Sequence, residues 1–247
     1  MTAPLDSWEA GSHTHAGVTH ATYRKGSGPG VVVISEIPGI TPAVIAFAEE
    51  VVAAGFTVVM PHLFGTPGAA NGTMPVVRTL GRICVSRELS LLALGQTQPV
   101  ADWLRSLARE LHADVGGPGV GAIGMCFTGG FALAMMVDTS VVAPVLAQPS
   151  APIAINRKRS ADLNLSPADL DAVKARAAAG CEVLGLRYRS DPMVGRRFDS
   201  LTRELGEAFV RVEFPGRKHA TLTEHRQQEA VDRVLAFFAD KLAPAAS

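Results

Sequence analysis

Three residues have the types, order and settings that nucleophilic catalysis requires. Cys126 lies in Gly124-Met125-Cys126-Phe127-Thr128-Gly129-Gly130, between an apolar run at 120–125 and a helical stretch. A sharp strand-to-helix turn of this kind lifts one side chain above a sheet, and small flanking residues let helix and strand pack closely. The N–H groups that open the following helix favour a thiolate and stabilise an oxyanion. Asp191 follows the apolar run 181–188, in Arg189-Ser190-Asp191-Pro192, and His219 follows the alternating run 209–214, in Pro215-Gly216-Arg217-Lys218-His219. Nucleophile, then acid, then base is one of the chain orders in which such triads occur. The imidazole would take the thiol proton and return it to a leaving alkoxide, while the carboxylate fixes the imidazole tautomer and stabilises its cation. The competing readings are a small buried cysteine, a helix cap before residues 192–198 and an exposed loop histidine. His225, six residues beyond His219, is a rival base placed on or near the last helix.

Glu36 is the fourth residue of interest. It ends the first buried run, in Ser35-Glu36-Ile37-Pro38-Gly39-Ile40, and is expected at the same sheet edge as Cys126. There the backbone N–H groups of Ile37 and Phe127 would form an oxyanion hole.

Such residues meet only if several strands end on one side. The pattern supplies these strands: short apolar runs at 31–35, 56–60, 120–125, 141–147, 181–188 and 209–214 alternate with helical stretches at 41–55, 90–112, 166–180 and 226–242. Thr41-Pro42 and Ser166-Pro167 are helix starts, and Gly55 and Gly180 are stops. Strand and helix in alternation predict an α/β fold, with a mainly parallel sheet flanked by helices on both faces and its active site at the carboxyl ends of the strands. The segment 17–24 is expected as an edge strand, residues 1–16 as a flexible N-terminus, and 17–242 as one domain. The long mixed segment 63–90 is expected to cover the site.

Composition removes other classes. Lys+Arg and Asp+Glu number 23 each, so no charge excess points to nucleic acid or an anionic membrane. No basic n-region precedes an apolar stretch at the N-terminus, and no apolar run is long enough to span a bilayer. Three widely spaced cysteines, Cys84, Cys126 and Cys181, fit neither a disulfide framework nor a zinc site and suit a reducing cytoplasm. Cys84 and Cys181 are expected as packing residues. His13, His15 and His20 lack thiolate or carboxylate companions and read as mobile, so no metal site is expected. His62 is a weaker candidate for the pocket wall. The glycines at 117–124 lie before and within a strand, so they do not form a dinucleotide loop. Arg157-Lys158-Arg159 reads as a solvated loop.

SEIPGI, GMCFTGG, the post-strand Asp191 and FPGRKH, taken together over about residues 17–242, resemble the dienelactone hydrolase family. The resemblance implies an α/β-hydrolase fold, a Cys-His-Asp triad of Cys126, His219 and Asp191, and neither metal nor cofactor. It implies a small-molecule partner, a carboxylic ester or lactone such as an enol-lactone. It gives Glu36 contact with the resting cysteine, and it makes Ile37 and Phe127 the oxyanion donors. Two departures stand out. Thr128 replaces a glycine of the elbow, where its hydroxyl is expected to cap the new helix. Thr223 stands four residues beyond His219, where family members that bind a substrate carboxylate have arginine. A second family arginine comes from the region of Arg78, Arg82 and Arg87, and Arg82 and Arg87 are taken as substrate-binding. Arg217 or Arg226 would be the replacement for the missing one. Two other functions fit the same residues: a non-catalytic ligand-binding module on this fold, and a thioesterase.

Overall fold

The computed structural model describes residues 5–70, 72 and 94–243. Its centre is one eight-stranded sheet. In chain order the strands are β1 Glu9–His15, β2 Val18–Lys25, β3 Gly30–Ile34, β4 Thr57–Pro61, β5 Val120–Met125, β6 Val141–Ala147, β7 Val183–Tyr188 and β8 Phe209–Phe214. Their spatial order is β1-β2-β4-β3-β5-β6-β7-β8. The pairs β1/β2 and β2/β4 are antiparallel, and the other neighbours are parallel.

Because side chains alternate along a strand, β3 feeds two cores. Val31 and Val33 pack on one face with helices α1 (Pro42–Ala53) and α6 (Gln228–Lys241). Val32 and Ile34 pack on the other face with α2 (Val100–Val115), α3 (Gly129–Met135), α4 (Pro167–Ala178) and α5 (Arg197–Leu205). This is the expected sheet between two helical layers. The caps read from sequence also hold. Thr41 accepts from the Val44 N–H at 3.4 Å, and Ser166 accepts from that of Asp169 at 3.2 Å.

The amino-terminal expectation is corrected. Residues 9–15 are not loose: they pair along β2, so β1 rather than β2 forms the edge. Ala16 and Gly17 make the two-residue turn with φ of 49° and 80°. Positive φ at both positions gives the twist that hairpins favour. The strand EAGSHTH carries no strand signature in the sequence because it is polar and largely exposed, and because Ala-Gly is a weak turn signature. His13, its buried residue, is held by Glu110 at 2.8 Å and Ser106 at 3.1 Å, with its ring edge-on to Trp103. The expected helix at 90–112 is seen from Val100; Cys84, most of the expected covering segment 63–90, and Arg78, Arg82 and Arg87 lie outside the described residues.

Chain order reverses at β3, with β4 on one side and β5 on the other. In open α/β sheets the crevice outside the strand ends at such a reversal is where ligands bind. Six neighbouring parallel strands, β4, β3, β5, β6, β7 and β8, therefore deliver their following loops to one rim.

Arg197 binds two of these connections together, those after β6 and β7. Its guanidinium is fully buried and donates to the carbonyls of Ala151 (3.1 Å), Pro152, Met193 (3.0 Å), Val194 (3.0 Å) and Arg159 (3.0 Å). Burial lowers its pKa to about 10, against the pull of Asp162 and Asp191. Replacing it by methionine keeps the length but strands several buried carbonyls, each worth roughly 1–3 kcal/mol. Arg197→Met should therefore cost about 3 kcal/mol or more, read as a shift of the urea midpoint, with Arg197→Lys intermediate.

Candidate active site

Cys126 opens a three-residue 3-10 turn directly after β5, and α3 follows it. Its φ is 55°, a left-handed conformation that non-glycine residues rarely adopt. This is the strained strand-to-helix elbow that the sequence predicts at Cys126. Gly124 and Gly129 allow the close approach. A Cβ on Gly124 would sit 2.1 Å from the Thr128 carbonyl oxygen, and one on Gly129 would sit 2.6 Å from Pro149 Cα.

Thr128 does not cap α3. Its buried hydroxyl accepts from the Met125 N–H at 3.0 Å and faces the carbonyls of Met125, Ile34 and Ser35 at 2.9, 3.2 and 3.2 Å. The residue that departs from the family glycine thus ties the elbow to the end of β3. The reason is its place on a turn wedged between two strands, where carbonyls are nearer than the N–H groups of the new helix.

Asp191 leaves β7 and His219 leaves β8. Asp191 Oδ2 lies 2.6 Å from His219 Nδ1, and Asp191 Oδ1 accepts from the Met193 N–H at 2.9 Å. Asp191 therefore both shapes its own turn and faces the imidazole. With Nδ1 committed to the carboxylate, Nε2 is the atom left for proton transfer. It is buried without a hydrogen bond of normal geometry. Burial disfavours the imidazolium. The bond to Asp191 and the adjacent Cys126 outweigh it, and the His219 pKa is pushed up to about 10.

The loop carrying His219 is pinned on two sides. Tyr188, at the end of β7, donates to the His225 carbonyl and accepts from Gln227 Nε2 at 2.7 Å. Gln148, the first residue after β6, accepts through Oε1 from the N–H and hydroxyl of Thr221 at 3.2 and 2.7 Å. Gln148 is fully buried and has φ of 38°. The same side chain donates to Glu36 Oε2 at 3.4 Å, and the Thr223 hydroxyl donates to Glu36 Oε1. Burial raises the Glu36 pKa, partly offset by Thr223, His219 and Gln148.

Glu36 does reach the rim, but the contact with the resting thiol that the resemblance implies is not made here. Both carboxyl oxygens are taken by Thr223 and Gln148. Cys126 Sγ instead faces Ser150 Oγ at 3.2 Å, and the Ser150 N–H donates to the Cys126 carbonyl at 2.9 Å. Ser150, Gln148 and Thr221 were not expected in the site. The first two sit directly after β6, a post-strand position that flags a rim residue as it does for Asp191. Neutral polar side chains carry no charge to draw attention to them.

The other candidates fall elsewhere. His225 is exposed and its rim-facing bonds are backbone ones. Arg226 forks onto Glu50 at 2.8 and 2.7 Å, so it is no substitute for a clamp at the site. Arg217 is exposed. His62 Nε2 meets the Gly65 carbonyl at 3.3 Å. Cys181 packs against the Val142 carbonyl and Arg176, each at 3.6 Å. Among the described residues no three His, Cys, Asp or Glu side chains are grouped to hold a metal, and no helix is long and apolar enough to cross a membrane.

Residues 16–242 match the dienelactone hydrolase family. The chain belongs to that family. No curated protein matches the chain, but solved structures do. A dienelactone hydrolase from Anabaena variabilis superposes with a TM-score of 0.65 at 18% identity, over 96% of this chain and 98% of its own. A dienelactone hydrolase-like promiscuous phosphotriesterase from metagenomic libraries gives 0.63 at 16%, over 96% and 98%. A thioesterase domain from the curacin biosynthetic pathway gives 0.58 at 11%, over 95% and 100%. Identities this low speak for the shared α/β-hydrolase fold, and the family match adds that this is a hydrolase family.

The raised His219 pKa has a consequence for stability. A folded-state pKa above the ordinary 6.5 contributes stability that is complete below 6.5 and lost as pH rises through about 10. The stability difference between wild type and His219→Asn should shrink across that window in urea titrations. A difference that stays flat from pH 6 to pH 10 would contradict it.

Proposed function

We propose that this dienelactone hydrolase family member is a cysteine-dependent hydrolase of carboxylic esters or lactones. The observation that carries the reading is the 2.6 Å Asp191–His219 contact, which leaves Nε2 unbonded on an imidazole that interacts with the elbow cysteine. The chemistry then runs in two halves. His219 takes the Cys126 proton, and the sulfur attacks the carbonyl carbon. The oxyanion is held by the Ile37 and Phe127 N–H groups, and its collapse breaks the bond to the alkoxide, which leaves with the proton from His219. A water, deprotonated by His219, then attacks the thioester. Collapse of the second oxyanion releases the acid and returns the sulfur to its resting state. Asp191 holds the tautomer and balances the imidazolium throughout. A lactone gives the same steps with the alkoxide still tethered to the acyl group.

Glu36 and Thr223 bear on the substrate. A buried carboxyl with a raised pKa, bonded to a hydroxyl and an amide, makes a polar floor without a cation. That floor suits an uncharged ester better than a carboxylated lactone, since guanidinium forks are the usual carboxylate clamp. The mechanism needs a reduced thiol and so calls for a reducing compartment such as the cytoplasm.

Turnover of p-nitrophenyl acetate tests the reading. Cys126→Ala should abolish it while the urea midpoint stays within about 1 kcal/mol of wild type. Asp191→Asn should lower kcat by roughly 10³–10⁴-fold, as loss of a tautomer-fixing carboxylate does in comparable triads. Undiminished turnover by Cys126→Ala would overturn the mechanism.

A further inference from the structure

We propose that the segments after β6 and β7 form an apolar subsite beside Cys126 that receives a hydrocarbon portion of the substrate. The substrate class is then an ester or thioester with an apolar acyl group of several carbons. This rests on the hydrolase reading above and names the substrate class of the same site.

Among the described residues, the large hydrophobic side chains left exposed are Ile153 (41%), Ile155 (69%) and Met193 (47%). All three fall on the two segments that touch the catalytic groups. Ser150, whose hydroxyl meets Cys126 Sγ, is three residues before Ile153. Three residues reach at most about 10 Å, so Ile153 leaves the backbone a short step beyond the residue that meets the sulfur. Met193 is two residues beyond Asp191, and its N–H is the one that Asp191 accepts.

The two segments are also neighbours. A single guanidinium, that of Arg197, donates to the carbonyls of Ala151 and Pro152 on one side and of Met193 and Val194 on the other. Its donors span only a few ångströms, so Ile153 and Met193 leave adjacent backbone. The Ile155 N–H bonds to the Ile153 carbonyl at 2.9 Å, a tight turn that fixes how both isoleucines are presented. Apolar side chains gathered on the rim of a site mark a surface that binding covers. Continuity with the reacting sulfur makes the substrate the occupant.

The test is a chain-length series on p-nitrophenyl acetate, butyrate and octanoate. Wild type should gain in kcat/KM along it, by up to roughly fourfold for each methylene fully buried. The double variant Ile153→Ser with Met193→Ser should lose at least tenfold on octanoate and stay within twofold on acetate. Both side chains are exposed, so the variant keeps the fold. An octanoate-to-acetate ratio equal in variant and wild type would overturn the proposal, as would a change of oligomeric state with that ratio unchanged, which would assign the patch to a second copy of the chain. If wild type hydrolyses none of the esters, the hydrolase reading fails. The subsite is then judged by calorimetry with octanamide and acetamide. Tighter binding of octanamide by wild type, lost in the double variant, supports it; equal binding by both proteins, or none, overturns it.

Discussion

One backbone conformation organises this molecule. Cys126 is held at φ 55°, in a region that costs a non-glycine residue of order 1–3 kcal/mol. Such a turn persists only where its surroundings over-determine it. Here Gly124 and Gly129 remove the side chains that would collide with the Thr128 carbonyl and Pro149. The Thr128 hydroxyl ties the turn to β3, and the Ser150 N–H ties it to the segment after β6. The strain is thus balanced by contacts from three strands. What it achieves is a sulfur placed at the rim where six parallel strands end.

The rest of the rim is a polar scaffold with little redundancy. Gln148 connects the His219 loop to Glu36, Tyr188 holds the far end of that loop, and Arg197 joins the acid-bearing loop to the segment beyond Ser150. These groups are buried, and most of their partners are backbone atoms. A buried polar group left without its partner is costly, so such a network specifies one arrangement of the loops. It also explains how the candidate catalytic groups, 65 and 28 residues apart in sequence (Cys126 to Asp191 and Asp191 to His219), can be held within one small volume.

Much of this was legible in the sequence. Apolar runs of five to eight residues, helix starts such as Thr41-Pro42 and Ser166-Pro167, and reactive residues just past strands were enough for the layers and for placing Cys126, Asp191, His219 and Glu36 at the strand ends. The misses share a cause. Polar elements with weak local signatures, such as β1, form because a neighbour offers a ladder, which no local pattern reveals. Gln148, Ser150, Thr221 and Thr223 matter through partners distant in sequence; Thr223 and Glu36 are 187 residues apart. Thr128 is instructive because the hydroxyl was noticed but its partner was not: cap geometry suggested the new helix, and tertiary packing supplied the carbonyls of β3 instead.

The central claim is that His219 serves the Cys126 sulfur as its proton partner, and the pH dependence of alkylation measures this directly. Iodoacetamide labelling followed by mass spectrometry of the Cys126 peptide gives a rate for that thiol alone. The account predicts fast labelling in wild type near neutral pH, and markedly slower labelling in His219→Asn at the same pH. Superimposable pH profiles for the two proteins would contradict it.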